Sequence, residues 1–299
     1  MAEEEQRPWL SAELNNMADE ISVIGPGHMG IGITQVFLQV GYNVVLVGRS
    51  RESLDKGMER LKTSMGKAIK KGSLNEKEAE KMLNALHLSS DYHDIAGSIL
   101  IIEAVSENFD IKTDVLKNAE AHANNTAIIA TNTSSIPIHK LGNGLKNRKR
   151  FLGMHFFNPV PVMKPIELII SKETSEQAIS DVKNIIDKLG KTPVMVNDYP
   201  GFIANRILMP FINEAIIALE NGAADKEGID TIAKLGFNHP MGPLELADFI
   251  GLDVCKDIMD SIYMETGNAK FIPSELLSRL VKEGKLGRKS GEGFYIYKK

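Results

Sequence analysis

The run Gly25-Pro26-Gly27-His28-Met29-Gly30 follows the apolar segment Ile21-Ser22-Val23-Ile24 and opens an apolar-periodic stretch reaching about Val40. Glycines at this spacing have separate mechanical jobs. Gly25 allows a tight turn, Gly27 lets a diphosphate approach the backbone, and Gly30 lets a helix sit close to a strand. A helix starting at His28 and Met29 turns unpaired N–H groups toward phosphate. Gly41 stops the helix pattern, and Val44-Val45-Leu46-Val47 reads as a second strand. Together these make a βαβ unit of about 30 residues, the setting in which such a glycine run signals dinucleotide binding. An NAD site expects Asp or Glu at the end of that second strand, about 20 residues on, to hold the ribose 2′-OH. This chain has Gly48-Arg49-Ser50 instead. No carboxylate is there to repel a 2′-phosphate, and a guanidinium able to pair with phosphate bidentately stands beside a hydroxyl. The expectation is a preference for NADP(H). In the alternative, Arg49 is a solvated loop residue and the cofactor is NAD(H).

Four further polar stretches carry groups suited to chemistry: Asn132-Thr133-Ser134-Ser135, His155-Phe156-Phe157-Asn158-Pro159, Pro165-Ile166-Glu167 and Pro200-Gly201-Phe202-Ile203-Ala204-Asn205-Arg206. Singly, each has a plain structural reading. Ser, Thr and Asn routinely follow strands as turn residues. His155 fits a satisfied core histidine, Glu167 one half of a surface ion pair, and Asn205 a helix start.

The elements that must position these groups follow from periodicity. Strands are predicted at about 99–105, 127–131, 152–157, 166–170 and 192–196, with helices at 110–123 and 175–189 and two charged helices between 51 and 83. Apolar runs with little alternation suit parallel strands buried on both faces. From Gly201 the pattern is helical throughout, over 201–221, 225–235, 242–264 and 274–283. The expected fold class is therefore α/β: a Rossmann-type, doubly wound N-terminal domain (20–200) followed by an all-helical C-terminal domain (201–299). Residues 1–19 are read as a frayed N-terminal extension, with docking through Trp9 and Leu10 as the alternative.

Composition sets outer limits. The 299 residues are 43% hydrophobic and 25% charged, which argues against a disordered or disulfide-built chain. Cys255 is the lone cysteine, and the seven histidines form no HxH, HxxxH or HExxH pair, so no metal site is expected. A net charge of −4 offers no general attraction to nucleic acid or an acidic membrane. The sequence holds neither a membrane-spanning apolar run nor a basic leader, and the expected localisation is cytoplasmic.

Taken together, the motifs resemble the 3-hydroxyacyl-CoA dehydrogenase family, particularly its bacterial 3-hydroxybutyryl-CoA members. The likeness runs from about residue 20 to Lys299 and includes GPGHMG, Glu103-Ala104-Val105-Ser106-Glu107-Asn108, NTSS, HFFNPVPVMKPIELI, PGFIANRIL, NHPMGPLELADFIGLD and LGRKSGEGFY. The segment before residue 20 lies outside the family pattern, as does Gly48, where the family usually has Asp and uses NAD. The resemblance implies interconversion of a 3-hydroxyacyl-CoA and a 3-ketoacyl-CoA, with His155 as general base and Glu167 on its other ring nitrogen. It also implies that Ser134 bonds the reacting oxygen and that Asn205 holds the substrate. Glu107, Lys112, Asn158 and Lys289 match residues near the cofactor, and Lys67 and Lys71 match lysines that meet the CoA phosphates. The family's helical domain covers the acyl end and forms a homodimer. Leu244, Leu246, Ala247, Phe249, Ile250 and Leu252 are too apolar for a solvated helix, which agrees with such a cover. The alternatives are a gulonate or lambda-crystallin-type dehydrogenase acting on a non-CoA hydroxy acid, and a non-catalytic homologue.

Overall fold

The computed structural model describes residues 19–297, so the reading of Trp9 and Leu10 lies outside the described residues. Eight strands form one sheet: β1 (Glu20–Ile24), β2 (Asn43–Val47), β3 (Leu86–Ser89), β4 (Leu100–Glu103), β5 (Ile128–Thr131), β6 (Phe151–Phe156), β7 (Pro165–Ile170) and β8 (Thr192–Asn197). Their spatial order is β3-β2-β1-β4-β5-β6-β7-β8. The first six pair in parallel, connected through α1 (His28–Gln39), α2 (Arg51–Lys70), α3 (Glu76–Asn84), α4 (Phe109–His122) and α5 (Ile138–Gly142). Strand residues alternate between two buried layers. Val44, Leu46, Leu100 and Ile102 belong to one, and Val45, Val47 and Ile101 to the other. Each such side chain stabilises by roughly 1.5–3 kcal/mol on burial, which is why the runs are apolar without alternation.

The direction reverses at β7, which runs antiparallel to β6. Eight residues, 157–164, join these strands. A parallel crossover needs about a dozen or more. After α6 (Glu176–Lys188), β8 pairs with β7 in parallel. Beyond Asn197 come α7 (Ala204–Glu220), α8 (Lys226–Thr231), α9 (Pro243–Ile250), α10 (Leu252–Thr266) and α11 (Glu275–Lys282), packed around Met209, Ile212, Leu244, Leu252 and Met259. Among the described residues no helix is long and apolar enough to cross a membrane.

Three details differ from the sequence reading. The edge strand β3 was not foreseen, because Leu86-His87-Leu88 is only half covered and too short to show a period. The single helix expected at 242–264 is two, broken at Gly251, whose φ of 108° is left to glycine. The stretch expected as a helix to 235 ends as a π-turn over Ile232–Gly236.

Candidate active site

The strand order turns outward between β1 and β4, and ligands of such sheets bind at the carboxyl ends of the strands beside that point. A cavity of about 850 Å³ opens there. Gly27, His28 and Met29 line it after β1, Ala104 to Glu107 after β4, Asn132 and Ser134 after β5, and His155 to Asn158 at the end of β6. Ala204, Asn205, Leu208, Met209, Leu246, Phe249, Ile250, Val254 and Ile258 close the other side.

The glycine loop is built as its spacing demands. Gly25 has φ 114°, and a Cβ there would lie 2.6 Å from the Ala104 carbonyl oxygen. A Cβ on Gly30 would lie 1.9 Å from the Gly25 oxygen, whereas one on Gly27 would meet nothing within 4 Å. Two of the glycines are thus required by packing and the third leaves open space over the helix start. No side chain caps α1 at Gly27, so its first amides remain available to an anion. These features fit a dinucleotide diphosphate. His28, on the first turn, reaches across to Asn158, with Nε2 2.8 Å from Oδ1.

The antiparallel register places His155 directly opposite Glu167. Opposed residues share a sheet face with Cβ atoms about 5 Å apart. His155 Nδ1 lies 2.6 Å from Glu167 Oε2, with the histidine side chain 12% and the carboxylate 2% exposed. The other carboxylate oxygen accepts the backbone N–H groups of Ile203 at 2.9 Å and Ala204 at 2.8 Å. Two left-handed residues, Gly201 at φ 78° and Phe202 at φ 49°, turn those amides inward. A phenylalanine pays a strain cost in that region, and its 2%-exposed ring is held in the layer beneath the sheet. Burial alone would raise the Glu167 carboxyl. The His155 hydrogen bond, the two amides and the imidazole charge outweigh it and hold Glu167 below the ordinary range. An ionised Glu167 only accepts, so Nδ1 carries a proton and the neutral ring presents the Nε2 lone pair to the cavity.

Ser134 and Asn205 line the same cavity as His155, the Asn205 amide donating to the Ser134 carbonyl at 2.9 Å. Glu107 sets the Ser134 loop: its Oε1 accepts the Ser134 and Ser135 amides at 2.9 and 3.0 Å and the Thr133 hydroxyl at 2.6 Å. Desolvation works against its charge, but Lys112 and these donors prevail and hold the carboxyl low. Lys112 itself is 1% exposed, 2.9 Å from Glu103 and 3.3 Å from Glu107. It therefore acts from beneath the loop and does not line the cavity. Lys289 pairs with Asp253 at 2.5 Å, also away from the cavity lining.

At the end of β2, Arg49 is exposed and makes no hydrogen bond or ion pair with another described residue. Ser50 caps α2, accepting the Ser53 amide at 3.2 Å. A Cβ on Gly48 would lie 2.7 Å from Leu54 Cγ, so the position is filled by its neighbour. Lys67 and Lys71 are exposed near the end of α2. At intervals of three and four residues before Lys67 stand Ser64 and Arg60, which line a side groove together with His28, Asn158 and Pro159. Of the apolar residues expected as a cover, Leu244, Ala247 and Leu252 are core, while Leu246, Phe249 and Ile250 face the cavity.

Sequence reasoning passed over Glu103, Asn132 and Asp198 as individual actors. Glu103 is fully buried and receives Lys112, the Thr131 hydroxyl and the Val105 amide. Asn132 accepts the Phe156 amide at 2.9 Å, steadying the strand beside His155. Asp198 accepts the Ile138 and His139 amides at the start of α5. The one available signal was their position within two residues of the end of a predicted strand.

Comparison with known proteins agrees along the chain. Residues 20–199 match the model of the 3-hydroxyacyl-CoA dehydrogenase NAD-binding domain, and 201–297 that of the C-terminal domain of the same family. A probable 3-hydroxybutyryl-CoA dehydrogenase of Deinococcus radiodurans is 47% identical over 93% of this chain and 100% of its own. The 3-hydroxybutyryl-CoA dehydrogenase of Clostridioides difficile is 41% identical over 94% of this chain and 100% of its own. The crystal structure of (S)-3-hydroxybutyryl-CoA dehydrogenase from Ralstonia eutropha superposes with a TM-score of 0.91 at 43% identity, covering 94% of this chain and 100% of that one. With a glycine loop, an opposed His–Glu pair and two family models spanning nearly its whole length, the chain belongs to the 3-hydroxyacyl-CoA dehydrogenase family.

Proposed function

We propose that the protein interconverts (S)-3-hydroxybutyryl-CoA and acetoacetyl-CoA, with NADP(H) as preferred cofactor. The observation that carries the reaction is the His155–Glu167 pair, buried, in register and open to the cavity on the Nε2 side. The substrate class rests on the names of the relatives. A bound nicotinamide would receive the substrate's hydride in oxidation and supply it in reduction. Gly25, Gly27, His28, Met29 and Gly30 would hold its diphosphate, with Asn158 near the other end of the loop. His155 Nε2 takes the hydroxyl proton as the carbonyl forms, and Glu167 stabilises the resulting imidazolium without itself changing charge. In reduction, that imidazolium and the Ser134 hydroxyl stabilise the developing alkoxide. Asn205 keeps an acceptor and an N–H free for the thioester end. Apolar groups such as Leu208, Ile250 and Ile258 exclude water beside these groups.

The cofactor preference rests on Gly48 and Arg49. A Cβ at Gly48, where the resemblance places a ribose-binding carboxylate, would lie 2.7 Å from Leu54 Cγ, and the adjacent Arg49 has no partner among the described residues. Comparing kcat/KM for NADPH and NADH tests this, and a preference for NADH would refute it. Lys67 and Lys71, with Ser64 and Arg60 on the same stripe of α2, are proposed to meet the CoA phosphates. A homodimer through the helical part is supported by its exposed apolar side chains, among them Ile207 at 64%, Phe237 at 60% and Leu235 at 82% exposure. Sedimentation of the protein at micromolar concentration checks it.

A further inference from the structure

The segment joining β6 to β7, residues 157–164, forms the wall between the cavity and the side groove. Phe157, Asn158 and Met163 face the cavity, and Pro159, Val160 and Pro161 face the groove. It contains one tight turn, in which the Val162 and Met163 amides both return to the Pro159 carbonyl at 3.0 Å. Among the described residues the Val160 and Met163 carbonyls have no backbone partner. Lys191, just ahead of β8, serves both: its ammonium donates to the Val160 and Met163 carbonyls, each at 2.6 Å. Among the described residues no carboxylate pairs with this half-buried cation. Its two acceptors are both on the wall, and the Thr192 amide beside it holds the Lys164 carbonyl at 2.9 Å. The start of the wall has further anchors, the His28–Asn158 bond and the Val160 side chain, which packs where a Cβ on Gly32 would lie 2.8 Å away.

We infer that Lys191 is a positioning residue for the acyl substrate, fixing Met163 and the turn from Val160 to Met163 through two charge-assisted hydrogen bonds. The ammonium is suited to this because it has three donors and no acceptor, so it can bridge carbonyls that point the same way. The cofactor loop does not depend on it, since Gly25 and Gly30 are locked against Ala104 and each other. Lys191 touches no reacting atom; it works by holding the surface against which the acyl portion is placed. The inference rests on the acyl-CoA reading of the site.

The test is steady-state reduction of acetoacetyl-CoA by wild type, Lys191→Met and Lys191→Arg, with thermal melting of each. Loss of two bonds to a charged donor predicts an acetoacetyl-CoA KM about tenfold higher in Lys191→Met, with kcat and the cofactor KM within about threefold. Lys191→Arg, which keeps the cation, should recover most of the loss. An unchanged acetoacetyl-CoA KM in Lys191→Met overturns the inference. So does a parallel rise of both KM values with a fall in kcat and Tm that arginine does not repair. If Lys191→Met does not fold, Lys191→Gln takes its place under the same criteria. Wild type inactive on acetoacetyl-CoA would instead remove the substrate reading, and this inference with it.

Discussion

The His155–Glu167 pair and the Gly48–Ser50 corner satisfy their polar groups in opposite ways. At the pair, both Glu167 oxygens are engaged by protein donors, and one ring nitrogen is left for substrate. At the corner, Arg49 is exposed without a described partner, and the Ser50 hydroxyl is occupied as a helix cap. A group used in every turnover benefits from being fixed before the substrate arrives, because no reorganisation is then needed in the transition state. A group that selects between two ligands needs only a differential contact, which a single exposed guanidinium supplies. On the proposed reading, reaction and cofactor choice are separable: one would be set by strand register and burial, the other by three residues of a loop.

The largest effect should come from breaking the fixed side. His155→Ala removes the base and should lower kcat by about 10²–10⁴-fold. Glu167→Gln should approach that loss, because an amide cannot accept from His155 and from two backbone N–H groups at once. Steady-state kinetics checks both, and near-normal turnover in either would undo the contrast. Next comes Arg49→Ala, which should lower kcat/KM for NADPH relative to NADH by about tenfold or more, the size of a hydrogen bond to a charged group. If the ratio does not move, the corner does not select. Gly48→Asp sharpens the same point, since its side chain meets Leu54. Overpacking there should cost about 1–3 kcal/mol of stability by denaturant unfolding, and Leu54→Ala in the same chain should relieve part of it.

The smallest effect is in pH. Glu167 is held below the ordinary glutamate range, so its ionised form stabilises the folded state. That contribution is complete above the ordinary carboxylate value and is lost as pH falls through the depressed one. Melting temperature should therefore fall more steeply on acidification, between the ordinary carboxylate value and the depressed one, in wild type than in Glu167→Gln, which lacks this part of the acid dependence. At the far end of the chain Asp248 behaves in the opposite sense. Burial raises its carboxyl despite bonds from the Phe294 and Tyr295 amides and the Tyr297 hydroxyl. Its ionisation thus costs stability as pH rises through the raised value.

Much of this arrangement was legible in the sequence, for reasons that differ between residues. The glycine loop is local: three spaced glycines between a strand and a helix force the turn whatever lies elsewhere. The pairing of His155 with Glu167 is twelve residues apart in sequence, and only the antiparallel register, which periodicity does not reveal, explains why they face each other. The contacts of Glu107 and Lys112 were least legible. Their resemblance to cofactor neighbours gave no hint that Lys112 is buried against Glu103 and that Glu107 gathers the amides of Ser134 and Ser135. Such networks depend on which strand ends are adjacent in space, and no single segment encodes that. The break at Gly251 was hidden because apolar residues recur on both sides of it, and a lone glycine within them reads as a modest cost.

The most direct test of the central claim is the initial rate of acetoacetyl-CoA reduction by wild type with NADPH and with NADH, measured side by side. Rapid turnover with both, and a higher kcat/KM for NADPH, is the predicted result. Absence of turnover with either cofactor would contradict the reaction assigned to His155 and Glu167, and a higher kcat/KM for NADH would contradict the role assigned to Arg49.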